Sequence, residues 1–182
     1  MTVKVITRPE PIVSMEEARK HLIDIPSEDD VYVSSLIVAA TAWLDGPTGW
    51  LGRALGIQTL EYSGWFACRH IELPFPPVVG SVSIVTEDDD GVQSTVDPAT
   101  YRLVDGVIVI KAGSPWVTRY LHRIRYQAGY EIDDPDLMPI KVAILMMVAQ
   151  WYLKREPVVI GSSVEEIPFS VNALLTPYRI YR

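Results

Sequence analysis

Three histidines, one cysteine and a few acidic and serine runs are the residues of this chain suited to chemistry, and their spacing keeps them apart. His21, His70 and His122 fall in three different elements. Cys68 and His70 offer two ligands from one strand, whereas a structural zinc takes about four, and no second pair follows. Asp88-Asp89-Asp90-Gly91 echoes a calcium loop but lacks the alternating ligands and closing glutamate of an EF-hand, so it reads as a solvated hairpin tip. Ser34, Ser35, Ser63, Ser162 and Ser163 have no nucleophile-elbow context. The glycine-containing loop 46–56 and Gly161 lack the Lys-Ser/Thr of a phosphate loop. Glu165-Glu166 stands where no environment would push two carboxyl acidities apart. The expectation is no catalytic residue, no bound metal and no cofactor.

The most basic stretch is Arg119, Tyr120, Arg123, Arg125 and Tyr126. Arg and Tyr are enriched at energetic centres of interfaces, so this stretch is a candidate contact surface. A solvated strand face is the plainer alternative.

Composition sets the frame for these residues. The chain has 182 residues, 48% apolar and 21% charged, as a globular protein of about one domain has. Its net charge of −7 opposes an electrostatic grip on nucleic acid, which needs a basic face. It is compatible with DNA sliding past an acidic wall. Cys68 is the single cysteine, so no intrachain disulfide forms. Residues 1–10 lack the charged start and apolar run of a signal peptide. The apolar stretch 142–148 is too short to cross a bilayer, so synthesis in the cytoplasm and no membrane association are expected.

Helical spacing appears in residues 14–22, 27–44 and 139–155. Ser14 and Glu17 form a capping box, with Val13 placed to staple back over the first turn. Ser27 reads as the cap of the second helix, whose apolar stripe is Val33, Leu36, Ile37, Ala40, Trp43 and Leu44. The third carries Ile140, Ala143, Ile144, Met147, Val148, Trp151 and Tyr152, with Pro139 in its first turn. Between the second and third lie short alternating runs punctuated by Pro, Gly and Asp105-Gly106, a strong hairpin signal. In the strand 120–126, Tyr, His and Arg are expected on one face and Leu and Ile on the other. The fold class is therefore α+β: a small helical core, 1–56 and 131–182, with an antiparallel β-rich subdomain, 57–130, inserted into it. The Gly/Ser-containing segment 158–166 is expected to be mobile.

The order of these pieces resembles a known family. Pro11-Ile12-Val13-Ser14 leading into Glu17-Ala18-Arg19-Lys20-His21-Leu22 is similar to the opening of the tailed-phage head–tail connector (adaptor or head-completion) proteins. That family belongs to long-tailed phages, prophages and gene transfer particles. Asp29-Asp30 before Ile37 and Ala39-Ala40, then Thr48-Gly49, Arg53, Gln58-Thr59, Ile71-Glu72-Leu73-Pro74 and Pro77-Val78 continue the likeness. So do Tyr101, Trp116, Tyr126-Gln127-Ala128-Gly129-Tyr130, Pro139-Ile140-Lys141-Val142-Ala143-Ile144, Arg155-Glu156 and Leu174-Leu175-Thr176-Pro177-Tyr178-Arg179. The family often has an acidic residue and an Arg-Leu pair around the first loop. This chain has Asp45-Gly46-Pro47 and Gly52-Arg53-Ala54-Leu55 there instead.

The resemblance covers nearly the whole chain and implies a non-enzymatic ring subunit, typically one of twelve, beneath the portal protein. Such a ring extends the DNA channel and presents a platform for a stopper or tail-completion protein. It would form in the host cytoplasm and end in the virion neck. The C-terminal tail of the family commonly reaches toward the portal, which makes Leu174, Leu175, Tyr178, Arg179 and Tyr181 interface candidates beside Arg119, Tyr120, Arg123 and Arg125. Tail residues 176–182 are short and apolar, and ordering on a partner would explain that composition. A different neck part (stopper or tail terminator) is one alternative. A small hydrolase or a carbohydrate-binding β module is another, with an aromatic stripe of Tyr62, Trp65 and Tyr120 as its signature.

Overall fold

The structure, a computed structural model, describes residues 1–23, 25–154 and 169–181. It divides into two compact units, Met1–Glu10 with Arg53–Tyr130, and Pro11–Gly52 with Glu131–Arg182. In chain order the elements are β1 (Thr2–Thr7), α1 (Met15–Leu22), α2 (Asp30–Leu44), β2 (Gln58–Gly64), β3 (His70–Glu72), β4 (Val78–Glu87), β5 (Gln93–Thr95), β6 (Tyr101–Val104), β7 (Val107–Ile110), β8 (Leu121–Ala128), α3 (Met138–Leu153) and α4 (Phe169–Leu175). The α+β class expected from the sequence is what the chain adopts.

The β unit holds two sheets. One has five strands in the order β1-β2-β8-β4-β5, every neighbouring pair antiparallel. The other is β3-β7-β6, also antiparallel. Asp105 and Gly106 turn the β6–β7 hairpin with φ of 48° and 77°, the left-handed pair that a tight two-residue hairpin loop requires. Leu60, Ile84, Ile124, Tyr126 and Ala128 of the larger sheet and Ile71, Tyr101, Ile108 and Ile110 of the smaller pack into one buried cluster. Buried polar ends in this cluster are satisfied by backbone carbonyls. The Tyr126 hydroxyl donates to Pro74 O at 2.5 Å and the Tyr101 hydroxyl to Val82 O at 2.8 Å.

Residues 1–10 were expected with the helical core, and the structure groups them with the β unit. Thr2-Val3-Lys4-Val5-Ile6-Thr7 is almost wholly β-branched and suits a pleated strand. Its partner, β2, lies more than fifty residues away, so nothing local in the sequence announces the pairing.

In the helical unit, Ser14 caps α1 as its spacing predicts. Ser14 Oγ accepts from Glu17 N at 3.2 Å, and the Glu17 carboxylate accepts from Ser14 N at 2.7 Å. Ser27 does not cap α2; it opens a 3-10 turn, Ser27–Asp29, and Asp29 occupies the cap position without a capping hydrogen bond. The Asp29 carboxylate instead accepts from the Tyr152 hydroxyl at 2.5 Å, tying the start of α2 to the end of α3. Val33, Ile37, Ala40 and Leu44 bury one stripe of α2, and Ile140, Ala143, Ile144, Met147 and Val148 bury one of α3. The two helices pack on each other although the β strands separate them in sequence. With its preceding 3-10 turn α3 reaches nineteen residues, Pro135–Leu153, long and apolar enough by composition to cross a membrane, which corrects the expectation from 142–148 alone. One stripe of it is buried within this unit, while Met138, Val142 and Leu153 are exposed. Residues 155–168, including the segment expected to be mobile, lie outside the described residues.

Candidate interaction surface

Period-two geometry decides which side chains of β8 share a face. His122, Ile124, Tyr126 and Ala128 point inward and are buried, whereas Arg123, Arg125 and Gln127 point outward. The expected grouping of Tyr and His with the arginines is thereby corrected: Tyr126 is 1% exposed and His122 fully buried. The outward arginines are answered within the sheet. Arg125 Nε lies 2.7 Å from Glu61 Oε2, and Glu61 stands opposite Arg125 on β2 and opposite Lys4 on β1. Arg123 Nη2 lies 2.6 Å from Glu87 Oε2, diagonally across on β4. Arg119, before the strand, is 3.4 Å from Asp89 Oδ2 at the hairpin tip, and its guanidinium lies 5.5 Å from the Tyr120 ring centroid. The face is a mosaic of both signs rather than a basic patch.

The tail candidates lie on the helical unit. Leu175 is fully buried and is corrected as a contact residue, while Leu174, Tyr178 and Arg179 are half-buried and Tyr181 is 73% exposed. Residues 169–181 pack on their own unit. Ile180 N donates to Leu51 O at 2.9 Å. The Arg179 guanidinium lies 4.0 Å from the Trp50 ring centroid and 4.6 Å from that of Tyr181, within cation–π range. Trp50 stacks on Trp43 at 5.5 Å with planes 15° apart. The four side chains form a half-exposed ladder, Trp43–Trp50–Arg179–Tyr181. Its tryptophans flank the Gly46-Pro47 turn, and that turn, with Trp50 N donating to Trp43 O at 2.8 Å, is the signal that could have paired them.

A cavity of about 220 Å³ opens between the β4–β5 hairpin and the loop before β8, lined by Thr86, Thr95, Asp97, Thr100, Trp116 and His122 among others. The His122 ring stacks under Trp116 at 4.0 Å and 20°, with Phe66 edge-on at 6.0 Å. Neither His122 nitrogen completes a hydrogen bond among the described residues. Burial lowers its pKa from the ordinary 6.5, outweighing the nearby Tyr120 and Gly64 backbone, which favours the charged form. Stacked on Trp116 with Phe66 edge-on, the imidazole reads as a packing residue. It follows that the unfolded chain binds this proton more tightly than the folded one. His122 therefore contributes stability above about pH 6.5 that drains away as pH falls below it. In urea melts between pH 8 and 5, the wild type should lose more stability than His122→Phe. Equal losses would show that the imidazole is not held neutral.

The other chemistry candidates stay apart. Cys68 is exposed, and its thiol donates to His70 O at 3.2 Å. No group of three or more His, Cys, Asp or Glu converges among the described residues. Asp88 Oδ1 accepts from Asp90 N and Val92 N, so the acidic run serves its own turn. Of the three aromatics expected in a sugar-binding stripe, Tyr62 turns onto Phe66 at 5.0 Å and Tyr120 lies beside Arg119, which leaves Trp65, 63% exposed.

No family model matches the sequence, and no curated protein matches it. Among the solved structures it resembles, two match over 100% of this chain and 97% of theirs. One is a chain of the virion of a native gene transfer agent particle, with a TM-score of 0.76 and 22% identity. The other is a chain of the neck of an empty gene transfer agent particle, computed with C6 symmetry, with a TM-score of 0.77 and 24% identity. From end to end, this chain shares its fold with a protein built into such a neck.

Proposed function

We propose that this protein is a non-enzymatic structural subunit of a virion neck, an adaptor that assembles as a ring beneath the portal protein. The observation that carries the reading is the fold likeness, spanning all of this chain and 97% of a chain from a gene transfer agent neck. The ordered motifs from Pro11-Ile12-Val13-Ser14 to Leu174-Leu175-Thr176-Pro177 support it from the sequence side. Its partners are further copies of itself, the portal, and a stopper or tail-completion protein. DNA passes through the channel without sequence-specific contact, which suits a net charge of −7. Residues 53–130 of the β unit are carried as an insertion between the elements of the helical unit, and residues 1–10 of the β unit precede it. The protein is made in the host cytoplasm and ends at the head–tail interface. A six-fold operator, as applied to the similar neck, accommodates rings of six or a multiple of six, twelve among them.

Native mass spectrometry of the full chain mixed with its portal protein tests this. The expected product is a portal-bound ring whose copy number is a multiple of six. Failure to associate with portal under any condition would overturn the reading. A free monomer would not, because such rings can require their template.

A further inference from the structure

The five-stranded sheet ends in two free edges of unequal character. β1 lies at one edge, and five of its six residues, all but Lys4, are β-branched. Val5 is 40% and Ile6 46% exposed, and Ile6 is the extra residue where the β1–β2 register shifts between Val5 and Thr7. A strand of that length and composition with an unpaired backbone is a template for another strand, and proteins usually blunt such edges with charge, proline or a cover. β5 lies at the other edge, and all three of its residues are exposed.

The edges also differ in charge. Residues 2–9 carry Lys4 and Arg8 and no acid. Residues 86–97 carry Glu87, Asp88, Asp89, Asp90 and Asp97 and no base. Glu87 and Asp89 are answered by Arg123 and Arg119, and the segment remains acidic after both are counted. The β1 edge is thus weakly basic, with Glu61 opposite Lys4 and Glu10 following Arg8, and the β5 edge strongly acidic, on the same sheet of the same unit.

We propose that these edges join copies of the chain head to tail, β1 of one copy adding to β5 of the next. The inference rests on the ring reading above and deepens it by naming the contact. A patch that meets a different patch is a heterologous contact, the kind that closes into a ring when its rotation divides a full turn. The occupant of each edge is a second copy, because each edge is answered in charge by its opposite on the same molecule. Four antiparallel steps separate β1 from β5, so the two strands run in the same direction. A copy added edge to edge in the same orientation therefore pairs in parallel, through the three residues of β5. Parallel pairs are slightly the weaker kind, and so short a contact gains from many copies closing at once. Lys4 and Arg8 against the acidic tip steer the approach and disfavour like edges meeting.

Cross-linking the assembled ring tests the contact. Neighbouring strands lie about 4.8 Å apart, within the Cα separation a disulfide spans. In a Cys68→Ser background, the full chain carries Ser94→Cys with either Lys4→Cys or Val5→Cys, consecutive positions in regular register that cover both phases of the strand. After assembly on portal and oxidation, one pair should give a ladder of covalent oligomers on a non-reducing denaturing gel. Rings of full mass with no ladder from either pair would overturn the edge contact and leave the ring reading intact. If no ring forms from the wild-type chain, both fall. Lys4→Glu with Arg8→Glu should lower ring yield at least tenfold, and Asp88→Lys with Asp90→Lys should restore it. Unchanged yield in the first variant, or no restoration in the second, overturns the assignment of charge.

Discussion

Gly129→Ala is expected to destabilise the β unit by about 4 kcal/mol, among the larger effects a single methyl group produces. Gly129 has φ of 126°, a conformation that L residues rarely adopt. A Cβ built there would lie 2.1 Å from Gly56 O, 2.3 Å from Gly56 C and 2.7 Å from Ile57 N. All three are backbone atoms, so no side-chain rotation relieves the clash. The site is also tied on both sides. Gly129 N donates to Pro77 O at 2.9 Å, and Tyr130 N donates to Leu55 O at 2.9 Å. Ala128, the residue before, pairs with Gln58 on β2 and with Val78 on β4. Moving residues 56–57 aside therefore opens the middle of the larger sheet rather than its edge. At a few degrees per kcal/mol for a chain of this size, the melting temperature should fall by roughly 8–16 °C. Gly91→Ala is the control: its φ is 80°, and nothing lies within 4 Å of its Cβ position. That variant isolates backbone strain, about 1–2 kcal/mol. Equal losses in the two, measured by thermal circular dichroism, would show that close approach at Gly129 is not the cause.

The same crossing shows what the sequence reveals and what it hides. Gly129 belongs to Tyr126-Gln127-Ala128-Gly129-Tyr130, and Gly49, whose Cβ position falls 2.3 Å from Leu44 O, belongs to Thr48-Gly49. Both stand in motifs that carry the family resemblance, and both mark places where backbone passes too close for a side chain. Signals set by neighbouring residues were legible. The Ser14–Glu17 box, the stripes of α2 and α3 and the Asp105-Gly106 hairpin depend on spacings of a few residues. Pairings across the chain were not legible. β1 joins β2 from more than fifty residues away, and Arg125 and Glu61 meet only once the β2–β8 register is known. The phase of β8 is hidden in the sequence because Ile124 is its one strongly apolar inward residue before Tyr126 and Ala128, and a histidine at an inward position weakens the alternation. The tail is a third kind of case. Its aromatic and arginine composition pointed to a contact, and the contact observed is with Trp50 of its own unit.

Breaking the Glu17–Lys141 pair should cost about 2–3 kcal/mol and loosen α1 from α3. Lys141 lies on the buried side of α3, its side chain 11% exposed, with Nζ 2.6 Å from Glu17 Oε1. The other carboxylate oxygen accepts from Ser14 N at 2.7 Å and Ser14 Oγ at 2.8 Å, so one side chain both closes the capping box and answers a buried ammonium. Burial alone would raise the Glu17 pKa. The Lys141 ammonium and the Ser14 donors overcome that and hold it at about 2. Removing one partner of a fully buried pair costs about 3–5 kcal/mol, because the remaining charge has nowhere to go. Glu17 is 40% exposed, and water screening brings the expectation down to the range given. Glu17→Gln keeps the size of the side chain and removes the charge. Combined with Lys141→Met, which also removes the ammonium, it should recover most of the loss, since a buried ion pair replaced by apolar packing is often neutral. A urea-unfolding double-mutant cycle reads the coupling directly, and additive losses would show that the two side chains act separately. The acid dependence follows from the direction of the shift. The unfolded carboxyl takes up its proton near pH 4.5 and the folded one only near 2, so the stabilisation is complete above 4.5 and is lost as pH falls through about 2. Glu17→Gln should remove that component of acid unfolding, and Lys141→Met alone should shrink it, because Ser14 still holds the carboxylate.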